Sequence, residues 1–346
     1  MTTGGASVTF EPSKTLDGSS ILITGGTGSF GQCFVQNVLE RYKPKRLVIY
    51  SRDELKQSEM QQRFDPREHR CLRYFLGDVR DLDRLKMALR GIDTVIHAAA
   101  LKQVPAAEYN PTECIHTNVL GAENLVMACI QEGVGRLLAL STDKACNPIN
   151  LYGASKLASD KIFVASNQLS GERGTVFSCV RYGNVVGSRG SVVPLFQRLL
   201  AEGATELPIT DARMTRFWIT LQHGVEFVLS CLDMMRGGEI FIPKIPSMTI
   251  PDLAEAMSPG IRQKVIGIRP GEKLHEVMIT EDDARNTVEF PDRYVIEPSP
   301  IAWTDHVLRD GAKPVEDAFR YASDNNTEWL DADGLRELIA KSKSTA

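Results

Sequence analysis

Ile21-Leu-Ile-Thr24-Gly25-Gly-Thr27-Gly28-Ser29-Phe30-Gly31 is the stretch from which the rest of the chain is read. Its first four residues make a short strand buried on both faces. Behind the glycines, Phe34, Val35, Val38 and Leu39 recur with the spacing of one helical face. Strand, glycine turn and helix in this order form a dinucleotide-binding fingerprint. Gly25 permits the tight turn, Gly28 lets a pyrophosphate approach the backbone, and Gly31 lets the helix lie close on the sheet. Thr27, Ser29 and Phe30 complete the turn, and the N–H groups that open the helix are oriented for phosphates. Outward from this unit, Arg46-Leu-Val-Ile-Tyr50, Leu72-Arg-Tyr-Phe-Leu76, Thr94-Val-Ile-His-Ala98, Arg136-Leu-Leu-Ala-Leu140 and Thr175-Val-Phe-Ser-Cys-Val180 read as further buried strands, with helical segments between them. That alternation predicts an α/β fold built on a doubly wound parallel sheet.

The chain of 346 residues has room for that sheet and an appended part. Residues 1–19, mostly Gly, Ser and Thr with isolated charges, are expected to be a mobile extension. Residues 20–183 form the dinucleotide-binding domain. Residues 184–346 form mainly a smaller C-terminal α+β substrate-binding part, of which 211–236 returns to the sheet through a helix from Leu221 to Met235. A single long helix is expected from Pro111 to Gln131. The tail beyond Ile301 carries Trp303 and Trp329, which predict that it packs. A net charge of -4 gives no global field for nucleic acid or anionic lipid. The seven cysteines form no C-x-x-C and the six histidines show no ligand spacing, so neither a disulfide framework nor a metal site is expected. No apolar run reaches membrane length, and the N-terminus lacks the features of a signal peptide, so a cytoplasmic location is expected.

The polar residues that follow the strands are the candidate site. After strand two, the position that reads the ribose holds Ser51-Arg52, with Lys56 one turn on. A carboxylate there would accept from a 2′-OH and repel a 2′-phosphate. Ser and Arg do the reverse, which favours NADP over NAD. Asp53 either caps the next helix or takes the ribose. Asp78 and the N–H of Val79 either hold the adenine edge, or Asp78 caps the helix that follows. Ala98 is small enough for a cofactor to lie against, and Lys102 either reaches a phosphate or is a surface lysine. Thr142, Asp143 and Lys144 end strand five. Tyr152 and Lys156 share a face of the next helix, one turn apart. A nearby ammonium lowers a phenol's pKa from about 10 towards the working pH, so this pair is a proton-transfer device. Arg181-Tyr-Gly-Asn184-Val185-Val-Gly-Ser-Arg189-Gly190 reads as a second anion-handling loop. Arg269 and Glu272 either hold a diphosphate and a ribose diol or pair with each other.

With Gly25-x-x-Gly28-x-x-Gly31 and Tyr152-x-x-x-Lys156, the chain resembles the extended short-chain dehydrogenase/reductases. Six segments also look like the inverting, PseB-type UDP-N-acetylglucosamine 4,6-dehydratases of pseudaminic acid biosynthesis: Thr24 to Gly31, Tyr50 to Lys56, Ser141 to Ala145, Arg181 to Gly190, Met214 to Thr220 and Ile266 to Glu276. The likeness covers roughly residues 19 to 335. It implies that Tyr152, lowered by Lys156, takes the proton from the sugar O4 while Thr142 orients that oxygen, and that the nicotinamide accepts the C4 hydride and returns it to C6. Lys144 would remove the C5 proton and Asp143 would assist departure of the C6 hydroxyl. Asn184, Val185, Arg189, Arg269 and Glu272 would hold the UDP, with Thr210 near the nucleotide and Lys102 at the substrate. The resemblance further implies a homo-oligomer, a dimer or hexamer. A nucleotide-sugar C4 or C5 epimerase and a non-catalytic cofactor sensor are the alternatives. The Asp143-Lys144 pair and the intact Thr142, Tyr152 and Lys156 argue against them.

Overall fold

The computed structural model describes residues 10–171, 174–188, 190–298 and 311–344. Six strands, β1 (Ser20–Thr24), β2 (Arg46–Ser51), β3 (Leu72–Leu76), β4 (Thr94–His97), β5 (Arg136–Thr142) and β6 (Val176–Tyr182), run parallel in the order 3-2-1-4-5-6. Helices cover both faces, so β1 is buried along its whole length. The strand order reverses between β1 and β4. A crevice outside the carboxyl ends is therefore expected at that point.

The remaining strands are β7 (Asn184–Val185), β8 (Glu206–Ile209), β9 (Thr215–Ile219), β10 (Ile240–Pro243), β11 (Ser247–Thr249), β12 (Arg262–Val265), β13 (Val277–Ile279), β14 (Thr287–Glu289), β15 (Arg293–Ile296), β16 (Lys313–Pro314) and β17 (Tyr321–Ala322). The helix Leu221–Cys231 does return to the sheet. It packs on the helix Ser29–Arg41, where Gln222 and Asn37 exchange amide hydrogen bonds and Arg41 pairs with Glu226 at 2.6 Å. The return is not confined to 211–236, however. β10 lies parallel beside β6, and β15, β14 and β16 continue the same sheet antiparallel, which makes ten strands. The physical reason is apolar content: Phe241 and Ile242 are fully buried, and only a sheet covered on both faces can bury them so. The second part is held by the small sheets β11-β9-β7 and β8-β12. Its own core includes Phe196, Leu207, Trp218, Met248, Leu253 and Leu335.

Two other expectations change. Residues 10–19 are docked. Phe10 packs on Phe227 with ring centroids 4.9 Å apart, Leu16 is fully buried, and the Ser13 and Thr15 hydroxyls donate to Asp233. Two buried apolar residues and the hydrogen bonds to Asp233 hold the stretch in place. Residues 1–9 of that extension, and Trp303, lie outside the described residues. The long helix is interrupted: Pro111–Ile115 is α-helical, His116–Leu120 makes a π-helical turn, and the α-helix resumes over Gly121–Glu132. Such bulges are frequent at functional sites. This one points Asn118 inward. Its side chain accepts from Leu101 N and donates to Leu101 O and Ser155 Oγ, bracing the segment after β4 against the helix Leu151–Leu169. No helix among the described residues is long and apolar enough to cross a membrane.

Candidate active site

The carboxyl ends of the parallel strands open into one cleft of about 1230 Å³. Its dinucleotide end is walled by bare backbone. Gly25 has φ +64°, and a Cβ on it would stand 2.9 Å from Ala99 Cα. A Cβ on Gly31 would lie 2.2 Å from Gly26 O, so only glycine lets the helix sit this close. No side chain caps the helix Ser29–Arg41 and no acid occupies its first turn, so its N–H groups remain available to phosphate. Thr27, Gly28, Ser29, Phe30 and Ala98 line this end. The cradle fits an anionic dinucleotide. Among the described residues no cluster of His, Cys, Asp or Glu has the geometry to hold a metal ion.

At the tip of β2, the buried Ser51 hydroxyl accepts from Gln57 Nε2 at 3.0 Å. Asp53 caps the helix Glu54–Arg63 by accepting from Lys56 N, and its carboxylate pairs with Lys56 Nζ at 2.9 Å. Of its two expected roles it takes the cap. Arg52 is half-exposed on the cleft, 3.7 Å from Asp78. Asp78 does not cap the next helix; Asp81 does, accepting from Arg84 N. Burial would raise the Asp78 carboxyl, but Arg80 and Arg52 outweigh it and hold it below the ordinary range. Val79 is buried against Gly121, and Lys102 is exposed on the cleft.

The reactive end is built by the turn after β5. Thr142 Oγ1 donates to Asp143 Oδ1 at 2.9 Å and accepts from Lys144 N at 3.3 Å, which closes a 3₁₀ turn over Asp143–Ala145. Lys144 Nζ stands 3.0 Å from Asp143 Oδ1, 3.3 Å from Glu276 Oε1 and 3.5 Å from Asn184 Oδ1. Burial pushes the Asp143 carboxyl up. Burial would push Lys144 down, but the two carboxylates reverse the sign and raise it, so the ammonium form is favoured. Asp143 is fully buried behind Lys144. Thr142, Lys144, Tyr152, Lys156 and Glu276 face the cleft.

Asn150 caps the helix that carries Tyr152, accepting from Gly153 N at 2.7 Å. Lys156 is not among the largest influences on the Tyr152 phenol. Burial pushes the phenol up to about 12, and the groups that pull it back are the Lys144 ammonium and the Thr142 hydroxyl. Lys156 is buried one turn on and acts on Asp160 and His97 instead. His97 is driven down to about 3, chiefly by burial and then by Lys156, so it is neutral. Thr24 Oγ1 accepts from Ala98 N and Ala99 N, so its hydroxyl proton goes to His97 Nδ1, 2.8 Å away.

At the far wall, Asn184, Val185, Thr210, Arg269 and Glu272 line the cleft, and Arg189 lies outside the described residues. Arg269 is 3.5 Å from Glu272, so the two pair with each other while still facing the cleft. Thr210 Oγ1 donates to Met214 Sδ at 3.0 Å. The loop is tied down by Asn150 Nδ2, which donates to Gly271 O, and by Lys273 Nζ, which donates to Cys146 O. Sequence reasoning missed Glu276, Arg216, Lys273 and Asn118. For Arg216 the signal was a charge directly before the apolar run Phe217-Trp-Ile219.

Residues 21–298 match the family described as "Polysaccharide biosynthesis protein". The chain is 58% identical over 330 residues to a UDP-N-acetylglucosamine 4,6-dehydratase (inverting) from Campylobacter jejuni, covering 93% of this chain and 98% of that protein. It is 39% identical over 329 residues to a UDP-glucose 4-epimerase from Rickettsia canadensis, covering 92% of this chain and 95% of that one. Among solved structures it superposes on Pen from Bacillus thuringiensis with a TM-score of 0.86 at 36% identity, over 96% of this chain and 100% of that one. The chain therefore belongs to the polysaccharide biosynthesis family that includes the inverting UDP-N-acetylglucosamine 4,6-dehydratases, on the extended short-chain dehydrogenase/reductase fold.

Proposed function

We propose that this chain is a UDP-N-acetylglucosamine 4,6-dehydratase that inverts C5, yielding UDP-2-acetamido-2,6-dideoxy-β-L-arabino-hex-4-ulose and so beginning a route to pseudaminic-acid-type sugars. The observation that carries the reading is Lys144, set between Asp143 and Glu276 on the same cleft wall as Thr142 and Tyr152. A 4-epimerase needs the tyrosine but has no use for a second acid–base pair beside it. A nicotinamide dinucleotide held in the cradle of Gly25, Gly28 and Gly31 would supply a reversible two-electron oxidant. Tyr152 takes the proton of O4, which Thr142 orients. The C4 ketone acidifies C5–H, and Lys144 removes that proton. Asp143 gives its proton to the departing C6 hydroxyl. Its carboxyl lies behind the cleft, so that proton passes through Thr142 or Lys144, both bonded to Oδ1. Reprotonation of C5 from the opposite face inverts the centre. Asn184, Val185, Thr210, Arg269 and Glu272, with Arg189, hold the UDP, and Lys102 stands at the rim. Proton NMR of the product formed from UDP-N-acetylglucosamine in deuterated water tests the reading: deuterium at an inverted C5 supports it, and retained configuration overturns it.

The cofactor on this reading is NADP. Lys56 is held by Asp53 at 2.9 Å, whereas Arg52 lies 3.7 Å from an Asp78 that already pairs with Arg80 at 2.8 Å, which makes Arg52 the cation best placed for a 2′-phosphate. Arg52→Ala is expected to weaken NADP roughly tenfold, the loss of one exposed charged hydrogen bond, and to leave NAD nearly unchanged. Equal weakening of both in a fluorescence titration would remove the phosphate-reading role.

The enzyme is further proposed to be a homo-oligomer. Ile115, Leu120 and Met127 on the interrupted helix and Leu169 at the end of the helix Leu151–Leu169 are exposed apolar side chains. Light scattering at micromolar concentration is expected to give a dimer or hexamer, and a monomeric mass refutes it.

A further inference from the structure

Glu276 is a cleft-facing carboxylate that is 2% exposed. Its backbone is fixed at both ends, because its N–H donates to Ser323 Oγ and its carbonyl accepts from Ser323 N. Three cations surround its side chain. Oε1 lies 3.3 Å from Lys144 Nζ and 3.8 Å from Arg216 Nε, and Oε2 lies 3.7 Å from Lys273 Nζ. A carboxylate this deep is tolerated only because it is paired. Two of the three cations are committed elsewhere. Arg216 donates to the carbonyls of Thr215, Lys273 and Leu274, and Lys273 donates to Cys146 O. Lys144 alone has its head group held by side chains: Asp143, Glu276 and, more distantly, Asn184.

We propose that Glu276 is the positioning residue of the C5 proton abstraction: it fixes the Lys144 nitrogen against the cleft, opposite Asp143, and steadies its ammonium until Asp143 takes the proton. The inference rests on the reading of Lys144 as the C5 base. The protons balance within the triad. The Lys144 ammonium gives a proton to the Asp143 carboxylate, leaving a neutral amine and a neutral acid. The amine takes the C5 proton and is an ammonium again, while the acid gives its proton to the C6 hydroxyl, which leaves as water. Glu276 stays ionised throughout, and burial, which would raise its carboxyl, is outweighed by Lys144, Arg216 and Lys273. The groups facing Lys144 are Asp143 from its own turn, Glu276 from the segment before β13, Arg216 from β9, Asn184 from β7 and Tyr152 from the following helix.

The experiment is the single-turnover dehydration rate of the cofactor-loaded enzyme on UDP-N-acetylglucosamine across pH. In Glu276→Gln a negative charge is lost and Arg216 faces the lysine uncompensated. Because Asp143 takes the lysine's own proton, the active pair holds one proton in all and the acid-side rising limb marks loss of the second. Both effects favour that loss, so this limb moves down by about one pH unit. The plateau falls about tenfold or more, because the nitrogen is no longer fixed. Glu276→Asp keeps the charge on a shorter arm, so the limb stays in place and the plateau falls. A lowered plateau with an unmoved limb in Glu276→Gln means a structural brace only and overturns the proposal, as does a wild-type profile. If Glu276→Gln does not fold, Glu276→Asp decides: a displaced limb or a wild-type plateau overturns the proposal. A Lys144→Ala variant that still dehydrates would sink the base assignment itself. An inactive Lys144→Ala beside a wild-type Glu276→Gln profile sinks the Glu276 role alone.

Discussion

Lys144→Ala is expected to lose dehydration by about 10²–10⁴-fold, the usual contribution of a positioned general base, while the purified variant still carries its nicotinamide dinucleotide. The two readouts separate because the dinucleotide cradle is built from Gly25, Gly28 and Gly31, on the strand and helix at the other end of the cleft. The substitution has a structural cost. It leaves Asp143 and Glu276 buried without the ammonium between them, and breaking a buried pair costs about 3–5 kcal/mol. Asp143 limits that cost, because burial already pushes its carboxyl up and it is the partner that can become neutral. Thermal melting therefore belongs beside the assay. A folded, cofactor-loaded variant that still forms product at a tenth of the wild-type rate would take the C5 base away from Lys144.

The part of this site visible in the sequence is the part made by local chain. β1, its glycine turn and the helix Ser29–Arg41 are contiguous, and their apolar and glycine spacing states the geometry directly. Thr142, Asp143 and Lys144 are legible for the same reason: a buried strand ends there, and a doubly wound sheet presents its ligand at such ends. What was not legible depends on distant pairings. Whether Glu272 or Glu276 turns toward Lys144 is decided by Ser323, which clamps Glu276, and by Arg216, which staples the loop to β9. No spacing within Arg269-Pro-Gly-Glu-Lys-Leu-His-Glu276 contains that information. The docking of Phe10 on Phe227 and the recruitment of β10, β14 and β15 into the main sheet are long-range in the same sense. Helical spacing puts Tyr152 and Lys156 on one face, but it cannot say that burial would dominate the phenol or that Lys144, across a turn, would be the cation acting on it.

That last difference sharpens the second large prediction. Tyr152→Phe is expected to reduce the reaction by about 10²–10⁴-fold, but at an earlier step than Lys144→Ala. The change removes only a hydroxyl from a side chain that belongs to a small apolar cluster with Ala107 and Cys114, so the fold should tolerate it. Mixed with UDP-N-acetylglucosamine, Tyr152→Phe should develop no near-ultraviolet absorbance of reduced cofactor, because O4 keeps its proton. Lys144→Ala should develop that absorbance and hold it, because C4 is oxidised and nothing removes the C5 proton. The phenol, pushed up to about 12, is mostly neutral near pH 7, so the early step should accelerate as pH rises. The Lys144 ammonium favours the ionised phenol, and its removal should move that acceleration to higher pH. One lysine thus serves both steps in opposite states, charged while Tyr152 works on O4 and neutral when C5–H is removed. If Tyr152→Phe accumulated reduced cofactor as Lys144→Ala does, the tyrosine would not be the O4 base, and the division of labour between the two residues would be wrong.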